Sequence, residues 1–335
     1  MRVFATILFC CAASLLWSWQ LTATFSLEQE YDNNVFNLSE ESLDMFENGQ
    51  NQYRFPYDTY DDYIVSPEME LHLRNRLTDD LTLNFYLDYN PHIYAKNDVK
   101  NYQTTTLRTS VWTRHFGIFS AHYKFLTDYH ISYYKSDILK RYYSADEDLY
   151  QPCEFDKDFW QIGYSKDVSK NARLRMRYRY EKSFYNDYFV EYDGETNAYG
   201  GYLEYTLPLV EPEIGYEFET VDAHGAGVED LDDISTESDI YSLQIRLRTF
   251  PITAGYQREN KFFRSIKDFD SYHATRKDEM DSFYVRTYFS WKNMDFVCRY
   301  GFSKRNTVSK YNISDDKNYD EHQFSVKVSY EIPII

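Results

Sequence analysis

The 335-residue chain carries 54 acidic against 36 basic residues, a formal charge of −18, and that balance excludes nucleic acid as a partner because a phosphate backbone repels it. Its 35 Tyr and 24 Phe stand against only 11 Gly and 8 Pro at a mean hydropathy of −0.67, and nothing after Trp17 approaches the length of an apolar helical span. Two ordinary domains or one large all-β domain fit the length, and the tyrosine excess suits strands whose apolar rows carry hydroxyls into an interface.

Met1-Arg2 and the uncharged run Val3 to Trp17 read as a secretory signal peptide with cleavage after Ala23, leaving 24–335 as one mature domain. The run is shorter than the ~20 residues a membrane-crossing helix needs. Phe9 stands before Cys10 where a lipid-anchored cysteine would want a small residue. Of the later cysteines, Cys153 falls in loop-like sequence and Cys298 in a strand, so both are expected as free thiols.

Alternation of apolar and polar residues then predicts fourteen strands, near 24–37, 62–77, 81–95, 101–115, 118–134, 157–166, 171–183, 197–207, 212–221, 239–249, 252–263, 281–292, 294–304 and 320–333. No amphipathic helix of useful length interrupts them. In the second, Met69, Leu71 and Leu73 oppose Glu70, His72 and Arg74. The seventh, "NARLRMRYRYEKSFY", sets Arg173, Arg175, Arg177 and Arg179 on one face and Leu174, Met176, Tyr178 and Tyr180 on the other, because successive side chains leave a pleated backbone on opposite sides.

The connections alternate too. Short turns at 78–80, 115–117, 166–171, 208–212, 249–252 and 292–295 alternate with longer links at 38–61, 96–100, 135–156, 184–196, 222–238, 264–280 and 305–319. An up-and-down meander with every second turn on one rim produces this pattern. Strands of ten or more residues, an even count and both termini on the short-turn rim predict an all-β fold: a transmembrane antiparallel β-barrel of about 14 strands, whose closure removes the edges that hydrocarbon cannot solvate. The rival is a secreted β-sandwich, whose apolar rows would face a core.

The mature start Tyr31-Asp32-Asn33-Asn34-Val35-Phe36 resembles the Y-D-x-N-V-F opening of β-barrel porins of the Gram-negative outer membrane. The resemblance implies a pore or assembly barrel in the bacterial outer membrane, folded by the barrel-insertion machinery. The chain departs from such barrels at its end, "EIPII", where a terminal phenylalanine is common.

With the apolar rows on lipid, parity sends Arg74, Arg76, Arg108, Arg114, Arg173, Arg175, Arg177, Arg179, Glu204, Glu217, Arg246, Arg248 and Arg286 to the lumen as the candidate pore lining. The arginine ladder is either the cationic side of a constriction that attracts anionic solutes or a row paired with glutamates of neighbouring strands. Tyr94, Tyr129, Tyr133 and Phe263 belong, with others, to an interfacial aromatic girdle. The acidic loops "SEESLDMFENG" and "VEDLDDISTESD" face lipopolysaccharide but match no calcium loop. His130-Ile131-Ser132 is the sole candidate catalytic pair, and by alternation both His130 and Ser132 face the lumen. No enzyme, metal or cofactor is expected. The expected function is a porin-like channel for small hydrophilic, including anionic, solutes; the alternative is a non-conducting barrel serving adhesion or surface assembly through its acidic loops.

Overall fold

The computed structural model describes residues 19–334 except 312 and 314–316. The expected signal segment up to residue 18 and the final Ile335 lie outside them. Fourteen strands follow in chain order: β1 (Trp19–Asp32), β2 (Asp62–Thr78), β3 (Leu81–Tyr94), β4 (Tyr102–Thr113), β5 (Gly117–Lys135), β6 (Tyr150–Asp167), β7 (Ala172–Tyr185), β8 (Gly194–Tyr205), β9 (Val210–Ala223), β10 (Thr236–Leu247), β11 (Ile252–Phe263), β12 (Lys277–Trp291), β13 (Met294–Val308) and β14 (Tyr319–Pro333). Each pairs antiparallel with the next, and β1 pairs with β14 from Thr22↔Pro333 to Asp32↔Gln323, so the sheet is a closed barrel.

The alternation turns the molecule inside out. Phe25, Ile162, Tyr199 and Ile214 point outward at 47%, 61%, 57% and 57% exposure, while the interior buries Glu217, Thr253 and Glu181. A water-soluble protein does the opposite. A sandwich would bury these outward rows against a second sheet, and no such sheet exists among the described residues. Strands of 12 to 19 residues, tilted as in such barrels, span about the 25–30 Å of a hydrocarbon layer.

The links between β2 and β3, β4 and β5, β6 and β7, β8 and β9, β10 and β11, and β12 and β13 are short, and they share a rim with the start of β1 and the end of β14. The longer links gather at the opposite rim. The first of them, 33–61, holds α1 (Glu40–Glu47), capped by the Ser39 side chain on the Ser42 N–H, and a small apolar core of Val35, Phe36, Leu38 and Phe55 packed against Tyr94. Sequence alternation did not anticipate this helix.

Several boundaries differ from expectation for identifiable reasons. The first strand, expected from 24, begins at Trp19, because Trp19–Ala23 pair with Leu71–Asn75. At its other end β1 stops at Asp32, because Asp32 Oδ1 accepts from the Asn34 N–H at 2.8 Å and Asn34 Oδ1 from the Leu38 N–H at 2.8 Å, which turns the chain. β6 begins at Tyr150, so Cys153 sits in a strand rather than a loop; it and Cys298 are free thiols. In β5 the register slips between Leu126 and Tyr129 and again between His130 and Ser132, with Asp128 at φ 57°. A bulge shifts the faces of the residues beyond it.

Candidate functional site

The arginine ladder meets carboxylates two strands away. Register sets Arg177 opposite Gly200 and Gly200 opposite Glu217; likewise Arg179, Ala198 and Glu219 fall in line. Gly200 and Ala198 leave the wall of β8 low there, so guanidiniums from β7 cross roughly 9.5 Å, two strand spacings, to β9. Arg177 Nε donates to Glu217 Oε2 at 2.6 Å, and Arg179 donates to Glu217 Oε1 at 3.0 Å and to Glu219. Arg175 pairs with Glu213, Arg173 with Asp167 at 2.7 Å, and Arg179 also lies 3.2 Å from Glu181. With Lys157 on Glu181 at 2.9 Å, five cations face five carboxylates. This wall is electrically matched, and Tyr202 lies beneath the Arg175 and Arg177 guanidiniums at 5.3 and 4.7 Å.

The other lining residues fall into three groups. Arg108 on β4 bonds Asp88 at 3.0 Å and Glu70 at 2.5 Å, over the Tyr86 ring. At the short-turn rim, Arg76 holds Asp79 at 2.9 Å, Arg114 holds Asp80 at 3.3 Å, and Arg246 and Arg248 share Glu211 at 3.1 and 3.6 Å. Arg74 and Arg286 have no carboxylate partner among the described residues; Glu204 stands opposite Arg173 in register and Arg286 opposite Arg299. Arg74 and Arg76 line a cavity of about 390 Å³ that opens at that rim.

Acid concentrates where the barrel closes. Glu28, Glu30 and Asp32 of β1 and Glu321 of β14 line a pocket of about 190 Å³ beneath the 33–61 link. Tyr94 and Tyr129 line it too, so these two rings face inward and leave the aromatic girdle. Parity failed for Tyr129 because of the bulge before it. Phe263 lies inside as well, on the wall of a larger cavity of about 660 Å³ under the long links.

The same bulges dispose of the candidate catalytic pair. His130 is 1% exposed, packed edge-on to Phe36 at 6.3 Å and 5.0 Å from the Tyr133 ring; it does not face the lumen as strict alternation predicts. Among the described residues neither ring nitrogen makes a hydrogen bond, Nδ1 lying 3.5 Å from Glu154 Oε1, and no bond links His130 to Ser132. The carbonyls that the bulge frees, those of His130 and Ile131, accept from Lys100 Nζ at 2.9 and 3.3 Å. This ammonium is buried over Phe36 and Tyr129, and burial pulls it down to about 8.

The long links carry one constellation that sequence spacing hides. Asp232, Asp270 and His273, from two links, bring their ligand atoms within 4.8 Å of one another. Hydrogen bonds already occupy Asp270: it accepts from the Asp233 N–H, Ser265 Oγ and His273 Nδ1 at 3.0, 2.8 and 2.7 Å. Burial and the facing Asp137 push Asp232 up to about 8. The group is a hydrogen-bonded latch between links.

A closed fourteen-stranded barrel, apolar outside and charged within, with short turns on one rim and long links on the other, is an outer-membrane β-barrel. No protein-family model matches the chain and no curated protein matches it. Among solved structures it is similar to a loop-deletion mutant of OmpT, an outer membrane protein of Vibrio cholerae, at 11% identity over 94% of this chain and 100% of that one, TM-score 0.47. It is similar to an anion-selective porin from Comamonas acidovorans at 9% identity over 94% and 99%, TM-score 0.44, and to Pseudomonas aeruginosa OprD at 9% over 94% and 96%, TM-score 0.41. Likenesses this weak carry no argument about this chain.

Proposed function

We propose that the barrel is a channel for small hydrophilic solutes, with its outer rows in outer-membrane lipid and its long links among lipopolysaccharide. The observation that carries this is the lumen itself, where charged rows line polar cavities from the short-turn rim to the long links. A barrel needing only to be stable in lipid has no use for a solvated interior, since burying charge costs free energy that apolar filling avoids. The matched ladder acts as a brace rather than an anion filter.

A non-conducting role in adhesion draws its support from the 33–61 link, whose small core closes over the acidic pocket. Planar-bilayer recording of the refolded protein separates the two. Discrete conductance steps are expected; silence from protein with heat-modifiable gel mobility would leave the surface role.

A further inference from the structure

The large cavity under the long links has a lining of its own kind. Arg276 grips both oxygens of Asp278, Nε to Oδ1 at 2.7 Å and Nη2 to Oδ2 at 2.5 Å, and Thr307 Oγ1 adds a third bond at 2.9 Å. That carboxylate is saturated. Arg305, on the adjacent strand β13, reaches the same cavity wall. Its Nε donates to the Lys317 carbonyl at 2.7 Å and its guanidinium lies 4.5 Å from the Tyr319 ring centre, but no carboxylate pairs with it among the described residues. Two guanidiniums thus share one carboxylate, in a chain whose net charge is −18. The terminal nitrogens of Arg305 are a fork of donors suited to a carboxylate, sulfonate or phosphate.

Rings complete the site. Tyr134, Tyr185, Phe263 and Tyr272 line the same space, and Tyr134 lies within reach of the Arg276 and Arg305 charges. Arg276 backs the Phe263 ring at 4.4 Å and Lys317 the Tyr272 ring at 4.6 Å, so the wall is both aromatic and cationic, and an anion with a planar ring packs against it while its head meets the fork. The volume, about 660 Å³, is that of a ligand pocket rather than an ion site. We propose that this cavity binds small organic anions bearing a planar ring, with Arg305 as the head-group anchor. The inference deepens the channel reading, on which it rests for a water-filled route to the cavity.

Titration calorimetry of the refolded full chain in detergent tests it with three probes: benzenesulfonate, its uncharged analogue benzenesulfonamide, and ringless methanesulfonate. Benzenesulfonate should bind, and each of the others should bind about tenfold or more weakly. Arg305→Gln should weaken benzenesulfonate by a similar factor and Arg305→Lys by less, since an ammonium keeps the charge and loses the fork. Equal affinity for benzenesulfonamide, undiminished affinity in Arg305→Gln protein of normal heat-modifiable mobility, or no binding by the folded wild type would each overturn the proposal. Calorimetry needs no open pore: binding without current sinks the channel, and current without binding sinks this site.

Discussion

Glu217, at 2% exposure, is held by two arginines and approached by the Tyr202 hydroxyl at 3.3 Å. Alternation alone puts such a carboxylate on the same face as its neighbours two residues away. What it does not register is reach: that Gly200 and Ala198 let guanidiniums pass over β8 to partners two strands off is a matter of side-chain size across three strands. Because Glu217 holds both Arg177 and Arg179, Glu217→Gln should unmask them and move the reversal potential in a salt gradient toward anions; an unmoved potential would mean that the ladder lies off the conducting path. Arg177→Met should cost on the order of 3 kcal/mol in urea unfolding, since it leaves a buried carboxylate short of a partner, whereas Arg173→Met, at an exposed pair, should cost less than about 1 kcal/mol. Gly215 is a second residue whose size matters. A Cβ there would stand 2.3 Å from the Tyr202 ring, which lies across it from the paired strand, so Gly215→Ala should displace the ring that supports Arg177 and cost about 1–3 kcal/mol.

At the scale of elements, strands were legible and links were not. Period two is written into every strand, but nothing periodic marks where β5 bulges; the available cue is Thr127-Asp128, with Asp128 among the residue types that tolerate a left-handed backbone. The missed helix α1 is only eight residues long, about two turns, within an acidic link, and is stabilised by its cap and by the apolar residues around it rather than by its own propensity. Deleting 38–58 should remove the cover over the acidic pocket and raise single-channel conductance with the barrel intact; unchanged conductance would place the narrowest point elsewhere. The links also set a pH dependence. Burial lifts Glu191 to about 7 and Asp232 to about 8 from ordinary values of 4.5 and 3.8. Between the ordinary and the raised values the folded links hold protons that the opened links release, so their stability falls as pH rises from about 4 to about 8. Lys100, pulled down to about 8, acts only above that, where deprotonation relieves its burial. Hydrogen exchange of 186–193 and 224–235, corrected for intrinsic rates, should therefore show less protection at pH 8 than at pH 5.5.

The whole molecule was legible because its loop lengths alternate with its strands, a pattern that survives errors of several residues at any one boundary. The seam between β1 and β14 joins residues about 300 positions apart, as in the Ser26–Ser329 hydroxyl contact at 2.9 Å. Thirteen of the fourteen neighbour contacts join consecutive strands and can form in order along the chain; this one waits for both extremities. Until it forms, two open rows of amides and carbonyls stand where hydrocarbon offers them nothing, so entry into the bilayer cannot proceed ribbon by ribbon.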